Sequence, residues 1–333
     1  MVIKKVEGSM KIYEKKVKDR KIKVSKGKKF VITDSKCAIC SEGSNISKNG
    51  QLKKHIPKTC YSMNSLLKMA KAYNEEHTDK IPIEGLSKME LWNIIRNKLV
   101  GVCSYDENCW RKQEFVKKLK DMEIDLYTFK TTYPKEWKKN PHEWLSTYDI
   151  LYVMKQYEKA NDDFVFLGVV PADCPMKINC ELTNLDFKKM MKQGIHKIGI
   201  VTNLDTHDMS GSHWTAIYMS LPYQKGKGKS KSKKKNIAQI NYYDSYGVMD
   251  STYINQFMEL TAKKMKKMGM EPVIIYNDKR HQYDNYSCGV YSMNFILERL
   301  HGTSMYEISK MNILSSEMNY LRKVLYMMED NQK

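Results

Sequence analysis

RHQYDNYSCGVYSMNFILERLHG, residues 280–302, joins a polar turn to an apolar, helix-spaced run that ends at Gly302. Cys288 stands at the junction. A helix therefore opens on a cysteine, where the partial positive charge of the helix N-terminus favours a thiolate. An isolated cysteine is more often a small buried hydrophobe. The turn before this one is polar throughout, which a purely structural core cysteine does not need.

Upstream lie short apolar or alternating runs bounded by turn residues: FVFLGVVPADC from 164, KIGIVTNLD (197–205), HWTAIYMSL (213–221), AQINYYDSYG (238–247) and EPVIIYND (271–278). These read as strands. Between the last two, TYINQFMELTAKKMKKMGM (252–270) is helical and ends near Gly269, and HEWLSTYDILYVMKQYEKAN (142–161) is an amphipathic helix capped at Ser146 or Thr147. Helix, strands, helix, strand, helix is the order of an α+β domain with a central sheet.

Three polar residues fall where they would serve Cys288. His213 begins a strand after SGS, an exposed position for a base. Asp244 ends the run INYY and can accept the imidazole N–H, although Asp-Ser-Tyr-Gly is also good turn chemistry. Gln282 precedes Cys288 by six residues, and its amide can pair with the Cys288 backbone N–H around an oxyanion. His281 is the rival base, close to the nucleophile in sequence. Gly289 lets a substrate backbone approach.

In combination and order, the helix EWLSTYDILYVMKQYEK, the His-Trp strand start, YYDS and Q-x5-C-G-x-Y resemble the cysteine peptidase clan of the SUMO-specific proteases and adenain. The resemblance covers residues 142–325. It implies a papain-like core, a central mixed β-sheet flanked by helices. It also implies His213 as general base, Asp244 as its orienter, Gln282 as oxyanion donor and Cys288 as nucleophile. Trp144 and Trp214 match two family tryptophans that narrow a tunnel around substrate glycines, core packing being their alternative role. With its N-terminal domain and Lys-, Asn-, Met- and Tyr-rich chain, the sequence further resembles the polyprotein-processing virion proteases of large nucleocytoplasmic DNA viruses. That resemblance implies cleavage after Gly-Gly-type motifs, and residence in the virion and host cytoplasm. Deubiquitination or deSUMOylation of host conjugates is the alternative within the same chemistry.

The 333 residues carry a net charge of +19. Residues 1–30 contribute +9 and residues 223–236 (YQKGKGKSKSKKKN) +7, leaving the body near neutral. We expect a basic arm at 1–30, a small, mainly helical Cys-containing accessory domain at 31–130, a linker at 131–141, and the peptidase domain at 142–333 with a Lys-rich insert at 223–236. The accessory helices are expected at 62–76 (cap Ser62), 87–99 (capping box Ser87/Glu90) and 114–124. The Lys-rich segments suit solvated tails or a nucleic-acid contact. Such a contact could activate the enzyme, or belong to a basic virion protein whose protease activity is secondary. Only six basic residues are Arg, the residue that bidentate nucleic-acid readout uses most.

No apolar run is long enough to span a bilayer, and the N-terminus lacks a signal-like h-region. The cysteines do not form the dense framework of a small secreted domain, so thiols in a reducing compartment are expected. Catalysis requires no cofactor. Cys37, Cys40, His55 and Cys60 have a spacing compatible with structural zinc, free thiols being the alternative. Oligomeric state is not legible.

Overall fold

A computed structural model describes residues 4–5, 35–46, 53–54, 57–223, 236–249 and 252–327. In chain order the strands are β1 (Lys4–Lys5), β2 (Thr131–Thr132), β3 (Phe164–Val170), β4 (Lys197–Asn203), β5 (Trp214–Ser220), β6 (Ile237–Tyr243), β7 (Glu271–Tyr276) and β8 (Tyr326–Met327). The α-helices are α1 (Met63–Glu76), α2 (Lys88–Cys103), α3 (Glu107–Trp110), α4 (Glu114–Lys117), α5 (Met122–Asp125), α6 (Thr147–Ala160), α7 (Phe187–Lys192), α8 (Thr252–Lys267), α9 (Cys288–Leu300), α10 (Met305–Lys310) and α11 (Ser315–Leu325).

The chain divides into two units. One comprises Met1–Phe30, Pro134–Met154 and Asn161–Lys323; the other comprises Val31–Tyr133, Lys155–Ala160 and Val324–Lys333. The last turn of α6 and the end of the chain thus group with the accessory residues. Sequence patterning does not reveal this, because apolar spacing reports which face is buried and not against what. Most of the basic arm, and 224–235 of the insert, fall outside the described residues.

In the accessory unit, α1 and α2 begin where the capping residues predict. Ser65 N donates to Ser62 Oγ at 3.0 Å, and Ser87 and Glu90 cap reciprocally. Leu66, Met69, Leu91, Ile95, Trp110 and Phe129 belong to its core. The helix expected at 114–124 is two single turns, α4 and α5. Lys120 between them sits at φ 48, and Asp121 accepts from Glu123 N at 2.8 Å, starting a new helix rather than continuing the old one.

The other unit is built on a six-stranded sheet of order β1-β7-β6-β5-β4-β3. Its β1–β7, β7–β6 and β4–β3 pairs are parallel, and its β6–β5 and β5–β4 pairs antiparallel. This is the mixed α+β arrangement expected. Helix α9 packs on β5, and α8 on β7 and β6. Ile198, Ile200, Ile217, Met219, Ile240 and Met265 are fully buried between them. Helix α6 starts where the expected cap places it, behind Ser146, which caps reciprocally with Asp149: Ser146 N donates to Asp149 Oδ2 at 2.8 Å, and Asp149 N to Ser146 Oγ at 3.3 Å. Gly302 and Gly269 follow α9 and α8 at φ +92 and +80, conformations that glycine adopts without strain.

Candidate active site

Strands β5 and β6 pair with Ala216 opposite Tyr243. That register sets the start of β5 beside the end of β6, and so His213 beside Asp244. His213 Nε2 is 2.7 Å from Asp244 Oδ1, and both side chains are buried. The Cys288 side chain, at the first position of α9, hydrogen-bonds the same imidazole. Burial opposes a charge on His213. The bonds to Asp244 and Cys288 outweigh it and push the imidazole up to about 9. The ring therefore favours the imidazolium, the partner that a thiolate needs.

A second layer holds this dyad. Asp244 N donates to Asn277 Oδ1 at 3.0 Å, and Asn277 Nδ2 returns a bond to Asp244 O at 2.7 Å. Tyr246 N donates to Asp244 Oδ1 at 2.9 Å, and Val248 N to Oδ2 at 3.2 Å. The carboxylate is thus fixed by backbone donors on one side and the imidazole on the other. Tyr246 also stacks on the His213 ring, 4.6 Å between centroids. Gly247 closes the turn at φ +76, and a Cβ there would lie 2.6 Å from the Lys279 carbonyl carbon. Only glycine lets the 244–247 turn approach the loop that carries Gln282.

Gln282 is fully buried. Its Oε1 accepts from Ser245 Oγ at 2.6 Å, and its Nε2 lies 3.0 and 3.1 Å from Asp284 O and Oδ1. Asp284 Oδ1 also accepts from Tyr286 N and Ser287 N, shaping the turn into α9. His281, the rival base, is held by a different partner. Its Nδ1 is 2.9 Å from the Tyr243 hydroxyl, and burial lowers it to about 4, so it stays neutral.

Trp214 Nε1 donates to Leu145 O at 2.9 Å, which ties the indole to the residue after Trp144. Trp144 itself is 42% exposed, more than core packing would leave it. A Cβ on Gly289 would meet Leu145 at 3.0 Å and Trp214 at 3.2 Å, so the missing side chain lets these two residues pack closely on the start of α9.

The Ulp1 protease family, C-terminal catalytic domain, matches residues 199–332. A putative thiol protease of Acanthamoeba polyphaga mimivirus is 31% identical over 287 residues, spanning 80% of this chain and 89% of that protein. The chain belongs to the Ulp1 protease family. It is a cysteine protease of the SUMO-protease type. The SUMO-1 cysteine protease of African swine fever virus is 24% identical over 41% of this chain and 46% of its own. The crystal structure of the African swine fever virus protease superimposes with a TM-score of 0.57 at 18% identity, covering 90% of this chain and 98% of that one.

Among the protease's cysteines, Cys37 is bonded to Cys60, Cys103 to Cys109 and Cys174 to Cys180, leaving Cys40 and Cys288 free. This departs from the expectation of thiols throughout. The four residues considered for zinc are not a ligand set in this state. Two are joined to each other, Cys40 Sγ is 3.4 Å from Tyr127 O with its thiol pushed up to about 12 by burial, and His55 lies outside the described residues. No group of three or more His, Cys, Asp or Glu that could hold a metal occurs among the described residues, and no helix there is long and apolar enough to cross a membrane.

Sequence reasoning passed over Tyr246, Asn277, Ser245 and Asp284. Asn277 directly follows β7, and the other three lie within two residues of Asp244 or Gln282, but as turn polar residues they have no distinguishing local signal.

Proposed function

We propose that the protease cuts after Gly-Gly-type motifs, with Cys288 as nucleophile, and that it processes structural precursors of a virus particle. The observation that carries the specificity is Trp214, pinned through Nε1 to Leu145 O and packed over the start of α9 beside Cys288. With the exposed indole of Trp144 it forms flat walls that admit residues without a side chain. The Cys288 thiolate attacks the scissile carbonyl, the carbon–nitrogen bond breaks, and the His213 imidazolium gives its proton to the leaving amine. Water, deprotonated by His213, then hydrolyses the thioester and releases the acid and the thiolate. Asp244 keeps the imidazole oriented. The Cys288 amide and Gln282 Nε2 hold the oxyanion, which takes over one of the bonds that Gln282 makes to Asp284.

A second reading is removal of ubiquitin-like modifiers, favoured by the SUMO-1 protease among the relatives. Three substrates separate the two: a Gly-Gly-X peptide, ubiquitin-like proteins fused through Gly-Gly, and a structural precursor encoded beside this chain. Precursor cleavage at a Gly-containing site with little turnover of the fusions supports processing. Preferential cleavage of the fusions supports the second reading. Adding DNA to each assay tests activation by nucleic acid, and metal analysis of the reduced protein tests zinc: less than about a tenth of an equivalent removes it.

A further inference from the structure

One exposed arginine beside the dyad has no part in the chemistry above. Arg280 lies over the Tyr246 ring at 5.0 Å and over the Tyr283 ring at 5.1 Å. Its Nε donates to Gln282 O at 2.7 Å. These contacts fix the plane of the guanidinium while Arg280 and Tyr283 both remain exposed, Tyr283 to 75%. Among the described residues no carboxylate lies within ion-pair distance of it, whereas acids close to lysines elsewhere are paired. The far face of this cluster is the imidazole itself, since Tyr246 stacks on His213. The guanidinium is therefore no more than about 10 Å from the imidazole, the span of about three residues of extended chain. The residue type is informative as well. This chain has 57 basic residues, of which six are Arg, so an arginine here stands out against a lysine background. An arginine between two rings is pre-organised for bidentate contact with a carboxylate in a way that lysine is not.

We propose that Arg280, held between Tyr246 and Tyr283, is a substrate subsite that takes the carboxylate of an Asp or Glu within about three residues of the scissile bond. The inference rests on the proteolytic reading above and adds a charge preference to it. A merely structural arginine, bracing the Gln282 carbonyl, would affect all substrates alike.

The test is kcat/KM for the full chain on Gly-Gly peptides in which each flanking position carries Glu, Gln or Lys in turn. We expect one position to prefer Glu over Gln by about tenfold. R280A should bring that ratio close to one, R280K should keep part of it, and R280E should reverse it in favour of Lys. Equal cleavage of all three peptides at every position overturns the subsite, and so does a Glu preference that survives R280A. Failure of the proteolytic reading looks different: no peptide is cut at a Gly-containing site, whatever its charge.

Discussion

The Tyr246 ring lies nearly parallel to the His213 imidazole, 16° between planes and 4.6 Å between centroids. The same residue donates its backbone N–H to Asp244 Oδ1 and its hydroxyl to Asp284 O at 3.2 Å. One tyrosine thus touches the base, the carboxylate that orients it, and the loop that carries Gln282.

Removing that ring should loosen the base rather than unfold the protein. Tyr246→Ala is expected to lower kcat by about tenfold or more, since small displacements of a catalytic group are costly. Tyr246→Phe keeps the stack and loses only the bond to Asp284 O, so it should stay within about fivefold of wild type. Steady-state kinetics with a Gly-Gly peptide checks both; an Ala variant equal to the Phe variant would remove the stacking role.

Gln282→Ala should reduce kcat by about a hundredfold with a smaller change in KM, the signature of a donor used chiefly in the transition state. Ser245→Ala, which frees the amide oxygen that Ser245 holds at 2.6 Å, should fall between that variant and wild type.

Asn277 is fully buried and bonds both backbone groups of Asp244. Truncation leaves the Asp244 N–H unpaired in the interior, while its carbonyl keeps the bond from Gly247 N at 2.9 Å. Asn277→Ala should therefore cost about 1–3 kcal/mol in stability, measurable by denaturant unfolding. Asn277→Asp keeps the acceptor but loses the donor, and sets a second carboxylate beside Asp244.

The His213 imidazole is raised from 6.5 to about 9, so the folded state holds its proton more tightly than the unfolded chain does. Its contribution to stability is complete below pH 6.5 and is lost as pH rises through about 9. The difference in unfolding midpoint between wild type and His213→Gln should shrink across that window. Over the same upper range kcat/KM should decline, as the imidazolium that protonates the leaving amine disappears.

Much of this site is legible in the chain because its roles coincide with element boundaries. His213 precedes β5, Asp244 follows β6, and Cys288 opens α9. A strand end or helix start next to a polar residue is visible in one dimension. What is not visible is the pairing of loops. Gly247 reads as an ordinary turn glycine until Lys279 is seen within 2.6 Å of its absent side chain. Tyr246 and Arg280 are 34 positions apart, and only the approach of the two turns makes them neighbours. Nor does the chain reveal that Leu145 and Trp214 pack within 3.2 Å of where a Gly289 side chain would stand. In the accessory unit, capping residues announced α1 and α2, while the break at Lys120 depends on a left-handed backbone that lysine rarely adopts and that no pattern foretold.

The central claim is that Cys288, paired with His213, is the nucleophile. Its most direct test is mass spectrometry of the enzyme after reaction with a Gly-Gly peptide bearing a thiol-reactive vinyl sulfone in place of the scissile bond. The account predicts one adduct, on Cys288, formed quickly in wild type, much more slowly in His213→Gln, and absent in Cys288→Ala. An adduct on Cys40, or labelling at the same rate without His213, would contradict it.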